Sequence, residues 1–280
     1  MKPYLYLLAF ALVACHNSSE EKESVKEELT NYVNPFIGTD GTGNTYPGAM
    51  TPFGMVQLSP DIGIPGWDRI SGYFYPDSII TGFSHTHLSG TGAGDLYDVL
   101  LMPTNSRFNE RIEANNRLPF SYFSHKHETA TAGYYSVDLL SYGIKAELTA
   151  TPHVGVQRYT FPKDEQSKIT VDLGYSINWD KPTETYLKVV DNTTLEGYRF
   201  STGWARNQKV YFVIKLSKPF VDKEFTEEKE NGKANRSKMV LRYATGDNET
   251  IVVKTALSMH SIAGAYKNME AEAPHFAFDD

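Results

Sequence analysis

Residues able to do or shape chemistry crowd into one stretch, from Asn34 to Asp95. Twelve of the chain's 21 glycines fall between Gly38 and Gly94, in 57 of 280 residues. Among them stand Trp67, Tyr73, Phe74, Tyr75, His85 and His87. Glycine loosens a fold unless the backbone needs positive φ or close approach. Glycine mixed with aromatics and hydroxyls therefore reads as loops shaped around something, the wall of a site.

Each candidate chemistry has its own test. Gly38-Thr-Asp-Gly41-Thr-Gly43 and Gly90-Thr-Gly92-Ala-Gly94 look like phosphate cradles. Neither opens a helix as GxGxxG does, and neither ends in Gly-Lys-Ser/Thr. The pairs His85/His87 and His125/His127 have i,i+2 spacing, which on a strand puts both rings on one side. Two such pairs could hold a metal, but no Glu follows His87 at a cupin-like distance. His85 or His87 is read as hydrogen-bonding within a loop-built pocket, and His125 and His127 as surface residues. Asp40, Asp61, Asp68, Asp95 and Asp98 could supply a glycosidic acid and base. Their spacing singles out no pair, and each also suits a turn or cap. Trp67, in Pro65-Gly66-Trp67-Asp68-Arg69, sits in a turn sequence. It either stacks on a sugar face beside Tyr73 and Tyr75 or anchors the loop from beneath.

The elements that must position these loops read as strands. Candidates are Met55–Leu58, Asp98–Met102, Tyr134–Leu140, Ile144–Thr149, Val154–Phe161, Ser167–Leu173, Tyr186–Val190, Thr194–Phe200, Lys209–Leu216, Ser237–Tyr243 and Thr250–Ser258. Period-2 patterning and short apolar runs between Gly, Asn and Asp turns predict an all-β antiparallel sandwich. Absence of βαβ alternation argues against a parallel nucleotide-binding sheet. Glu224–Ser237 reads as an exposed hairpin loop, and Met259–Glu272 as a short C-terminal helix rich in Ala, Met and Glu.

Composition narrows the partners. Net charge is −7, so phosphate-backbone attraction is missing and nucleic acid is excluded as a partner. Eighteen Tyr and 15 Phe suit strands and sugar-facing surfaces. A single cysteine, Cys15, rules out an internal disulfide. It follows Lys2 and the apolar run Leu5 to Ala14, which is too short to span a membrane but fits a signal peptide over 1–14. Leu12-Val-Ala-Cys15 resembles a bacterial lipobox, with Cys15 as the lipidated residue. The alternative is an ordinary secretory signal with a stray cysteine. Residues 15–30 read as an acidic, solvated tether, resembling surface-export tails of some Gram-negative lipoproteins.

Several long motifs resemble the N-terminal part of family 92 glycoside hydrolases, calcium-dependent exo-α-mannosidases. They are Tyr32-Val-Asn-Pro-Phe-Ile-Gly38-Thr, Tyr46-Pro-Gly-Ala and Thr51-Pro-Phe-Gly-Met-Val-Gln-Leu-Ser-Pro60. Then come Ser71-Gly-Tyr, Gly82-Phe-Ser-His-Thr-His-Leu-Ser-Gly-Thr-Gly92 and Gly94-Asp-Leu-Tyr-Asp-Val-Leu-Leu-Met-Pro103. Val171-Asp-Leu and Tyr211-Phe-Val-Ile-Lys-Leu-Ser-Lys-Pro-Phe220 complete the set. The resemblance implies a sandwich of the galactose-mutarotase-like, supersandwich type over 31–258, with 259–280 leading into an (α/α)6 barrel. It implies an inverting mechanism whose two carboxyls lie about 6.5–9.5 Å apart. Both carboxyls and most of the calcium ligands are expected beyond Asp280, so no catalytic or metal residue is assigned here. It also implies that Trp67, His85, His87, Gly90 and Gly92 contribute to a pocket for mannose-containing glycans; the lipobox-like Cys15 adds the expectation of an envelope protein lipid-anchored to the outer membrane. The family often carries a histidine in its first glycine loop, and Asp40-Gly-Thr-Gly-Asn44 has none. Two other readings stay open: a non-catalytic carbohydrate-binding remnant, and a metal-dependent β-sandwich enzyme using the histidine pairs.

Overall fold

The computed structural model of the chain describes residues 28–107 and 119–279. The expected signal segment, Cys15 and the tether up to residue 27 lie outside the described residues. In chain order the first strands are β1 (Ala49–Met50), β2 (Gln57–Asp61), β3 (Ile79–Ile80), β4 (Gly82–Ser84), β5 (Leu100–Thr104), β6 (Ser121–Tyr122) and β7 (Glu128–Thr131). Next come β8 (Tyr134–Leu139), β9 (Ile144–Ala150), β10 (Val154–Phe161), β11 (Asp164–Asp172) and β12 (Lys181–Asp191). The last are β13 (Thr194–Thr202), β14 (Gln208–Leu216), β15 (Asp222–Glu230), β16 (Lys233–Thr245) and β17 (Glu249–Ser258), followed by helix α1 (Ile262–Glu272).

Two sheets face each other. One runs β1-β2-β4-β5-β11-β16-β15 and the other β12-β13-β14-β17-β10-β9-β8-β7, with β3 and β6 as a separate pair. The ladders are antiparallel. Alternation sorts the side chains. On β16, Ser237, Met239, Leu241 and Tyr243 are buried, while Lys238, Val240 and Arg242 are half-buried. Leu58, Phe83, Leu101, Ile169 and Leu241 from the first sheet meet Tyr159, Phe161, Ile214 and Val253 from the second in one core.

The outer face of the larger sheet is covered as well. Val154, Val156, Val213, Val252 and Ala256 pack under Ala265 and Met269 of α1. The helix starts at Ile262 rather than Met259 because the Ser261 hydroxyl accepts from the Gly264 N–H at 3.0 Å and caps it. The chain after α1 then crosses the sheet. Glu272 accepts from Thr151 Oγ1 at 2.6 Å and from the His153 N–H at 2.8 Å. Lys254 Nζ donates to the carbonyl oxygens of Ala273 (2.6 Å) and His275 (3.2 Å). The Arg158 guanidinium lies 4.2 Å from the Phe278 ring centroid and donates to Asp279.

The exposed hairpin expected at Glu224–Ser237 is present, but little of it is loop: all except Asn231 and Gly232 lies in the paired strands β15 and β16. Asn231 (φ 52°) and Gly232 (φ 78°) supply the two positive φ angles of a type I′ turn. All nine residues of β15 are exposed, so no hydrophobic alternation marked it as a strand. Its charged residues suit an edge that must not recruit another strand.

Candidate functional site

The glycine loops hold one another. Gly90 has φ +66° and donates its N–H to the Asn44 carbonyl at 2.7 Å, joining the 90–94 loop to the 38–44 loop. Gly92 lies under Trp67: a Cβ there would sit 3.2 Å from the ring's Cη2. Trp67 opens a short 3-10 turn, Trp67–Arg69. Its ring is 59% exposed and meets Trp179, 46% exposed, edge to face at 6.5 Å. Two large rings thus form an uncovered corner.

Asn178 builds that corner. It adopts the left-handed conformation (φ 56°). Its Oδ1 accepts from the Gly66 N–H at 3.0 Å, and its Nδ2 donates to the Arg69 carbonyl at 3.5 Å. Its Cβ fills the space beside Gly94, while the Trp179 N–H donates to the Gly94 carbonyl at 3.1 Å. Three loops, 62–70, 90–97 and 176–180, are therefore tied through one side chain and its neighbour. Asp95 ties in a fourth by accepting from the N–H groups of Trp204 (3.0 Å) and Ala205 (2.8 Å). Trp204 itself is 74% exposed.

Behind the corner lies a fully buried ion cluster. Arg199 of β13 pairs with Asp98 at 2.8 Å and with Asp180, and donates to the carbonyls of Leu173 (3.1 Å) and Tyr175 (2.9 Å). Burial works against the Arg199 charge, but Asp180 and Asp98 hold it above its ordinary value. Burial pushes the Asp180 carboxyl up to about 6, against the pull of Arg199. Leu96 (φ 84°), Tyr97 (φ 63°) and Val99 (φ 56°) are left-handed without being glycine. Such backbone costs roughly 1–3 kcal/mol per residue, and Arg199 with Thr86, whose Oγ1 donates to Asp98 at 2.7 Å, holds it in place.

His85 and His87 follow β4 rather than lie in it, and they do not act as a pair. Both are buried, 0% and 2% exposed. His85 Nδ1 donates to the Val99 carbonyl at 2.7 Å, leaving Nε2 to accept from Gln157 at 3.1 Å. Burial lowers its imidazole to about 4 despite the Val99 hydrogen bond, so the ring is neutral at neutral pH. His87 Nδ1 donates to the Gln57 carbonyl at 2.7 Å, and its Nε2 faces Ser84 Oγ (3.1 Å) and Asp61 Oδ1 (3.2 Å). His85 thus ties the chain leaving β4 to Val99 and to β10, and His87 ties it to β2. His125 stacks on Tyr75 at 3.8 Å and binds Glu128 at 2.6 Å, and exposed His127 lies 3.4 Å from Asp138. The two histidine pairs do not converge. Among the described residues no three His, Cys, Asp or Glu side chains are placed to hold a metal ion.

Two cavities open at the loops. A largely apolar one of about 830 Å³ runs between Phe53, Leu96, Gln208, Met259 and His260. Phe53 on its rim is fully exposed with φ 61°. A polar one of about 360 Å³ lies between Pro65, Asn178 and the β15–β16 hairpin. Trp179, Trp204, Asn178 and Arg199 went unread in the sequence. Trp179-Asp180 repeats the loop dipeptide Trp67-Asp68, which was the available signal.

These features define a two-sheet β-sandwich with an aromatic, glycine-lined loop end. Residues 32–258 match the glycosyl hydrolase family 92 N-terminal domain, and the chain belongs to that family. It is similar to the GH92 alpha-mannosidase BT3965 of Bacteroides thetaiotaomicron, solved in complex with mannoimidazole: TM-score 0.77 and 35% identity, over 89% of this chain and 35% of that one. The GH92 inverting mannosidase BT2199 from the same organism gives TM-score 0.69 and 26% identity, over 88% of this chain and 33% of that one. An uncharacterized secreted glycosidase of Arthroderma benhamiae is 30% identical over 144 residues, 48% of this chain and 18% of that protein. The chain thus spans about a third of the solved relatives' length and less than a fifth of the curated one's. No helix among the described residues is long and apolar enough to cross a membrane.

Proposed function

We propose that this chain supplies the β-sandwich wall of the mannose pocket in a calcium-dependent, inverting exo-α-mannosidase that trims mannose-rich glycans of glycoproteins. The observation that carries the reading is the Trp67–Gly92 contact. A tryptophan with 59% of its surface uncovered is held over a glycine by loops that hydrogen-bond one another. An exposed aromatic face on a fixed loop is what the apolar side of a pyranose stacks against. Trp67, Gly90 and Gly92 line the pocket, and buried His85 and His87 fix the chain where it leaves β4 toward that loop.

The acid and base are assigned to an (α/α)6 domain facing this end, because inversion needs two carboxyls with room for water between them. Among the described residues no three His, Cys, Asp or Glu side chains converge to hold calcium, so its ligands are assigned to the same helical domain. The domain plan is a signal peptide over 1–14, a tether over 15–30 with lipid on Cys15 at the outer membrane, the sandwich over 31–258 and a linker over 259–280.

The test uses the purified chain. It should bind mannoimidazole with a change in tryptophan emission, and release no mannose from α-mannobiose with or without calcium. Calcium-dependent turnover would put the acid and base inside this chain and overturn the reading. Unchanged binding in Trp67→Ala would reduce Trp67 to a packing residue.

A further inference from the structure

We infer that the polar cavity of about 360 Å³ beside the tryptophan corner is a second glycan subsite, taking a neutral hexose of the same glycan that rests on Trp67. The inference builds on the pocket wall proposed above but concerns a different set of residues. Pro65, Asn178, Lys181, Glu230, Asn235 and Arg236 line the cavity. Its two inner walls are the loops that carry the corner: Pro65 lies two residues before Trp67, and Asn178 directly precedes Trp179. A linear glycan lying against the corner reaches the cavity along those loops.

The polar groups around it are largely uncommitted. The side chains of Lys181 and Ser176, also at the cavity, have no hydrogen-bond or ion-pair partner among the described residues. Arg236 makes a loose pair with Glu228, at 3.8 Å. Glu230 is engaged through one oxygen, which accepts from Asn235 Nδ2 at 2.9 Å, so its other oxygen and the Asn235 carbonyl remain open acceptors. Donors and acceptors of both signs therefore face one space. That suits adjacent sugar hydroxyls, each of which donates and accepts, better than a phosphate or sulfate, which accepts only. The wall is already rigid, since Asn178 is fixed at both ends of its amide, so little order has to be imposed on binding.

The experiment compares mannose with a linear α-mannotriose on the chain, by calorimetry at two salt concentrations. The wild type should bind the trisaccharide about fivefold tighter than mannose, the equivalent of roughly one net hydrogen bond. Asn235→Ala combined with Arg236→Ala, both on the hairpin surface, should erase that gain and leave mannose binding intact. Trp67→Ala should weaken both sugars. A gain that survives in the double variant overturns the inference, as does a wild type that binds both sugars equally. In either case mannose binding that depends on Trp67 leaves the pocket wall standing. Binding of neither sugar overturns both. Both sugars are uncharged, so the gain should persist at the higher salt concentration; its loss would overturn the inference.

Discussion

Two surfaces of this sandwich are treated in opposite ways. The outer face of the eight-stranded sheet is apolar, and the chain seals it with its own helix and the segment up to Asp279. The loop end is also rich in large rings, yet Trp67, Trp179 and Trp204 stay uncovered. Support is not what differs. A buried arginine, two carboxylates and an amide with three partners stand behind the uncovered surface. Open apolar surface with such support is what the pocket wall proposed above requires.

Removing the support should break this contrast most severely. Arg199→Met leaves Asp98 and Asp180 buried without their cation, and should cost about 3–5 kcal/mol in chemical denaturation. It should also alter tryptophan emission. Emission equal to wild type in the folded variant would mean that the cluster does not position the corner.

Acid probes the same support more gently. Unfolded His85 takes up a proton below pH 6.5, but the folded ring does so only near 4. Between those values the unfolded chain binds more protons, so stability from this group falls as pH falls, by about 3 kcal/mol in all. Asp180 acts in the opposite sense. Its folded carboxyl protonates near 6 and its unfolded one near 3.8, so its contribution rises as pH falls across that window. Denaturation midpoints of His85→Gln should therefore lose the acid-side decline and keep the Asp180 gain. A variant tracking wild type from pH 6.5 to 4 would show that His85 titrates normally.

The sealed face should respond locally. Glu272→Ala removes the bonds to Thr151 and His153 and should cost about 1–2 kcal/mol, with mannoimidazole binding unchanged. Weakened sugar binding would show that the two surfaces are coupled. The smallest stability effect belongs to Gly92→Ala. Its methyl group would press on the exposed Trp67 ring at 3.2 Å, costing about 0.5 kcal/mol while shifting the emission and lowering sugar affinity. Unchanged affinity would place the sugar elsewhere.

The sequence revealed elements wherever burial is one-sided or continuous. Val154–Phe161 was read to the residue because its apolar pattern is dense and its flanks are turn residues. β15 was not legible, since a strand exposed on both faces carries no alternation. At the site, Trp67 stood out because its glycine and aromatic neighbours are local in sequence. Trp179 did not, because only the sandwich topology brings residue 179 against residue 67. The i,i+2 spacing of His85 and His87 suggested a shared face. The chain leaves β4 at Ser84, however, and each ring finds its own buried acceptor.

The β15–β16 hairpin has a practical consequence. Its tip, Asn231–Gly232, is solvent-exposed, and every residue of the outer strand β15 is exposed. Such a tip accepts inserted sequence without disturbing the fold. A tag or fluorophore-bearing peptide spliced between those residues would report from the mouth of the polar cavity, and a bulky one would plug it while the tryptophan corner stayed open.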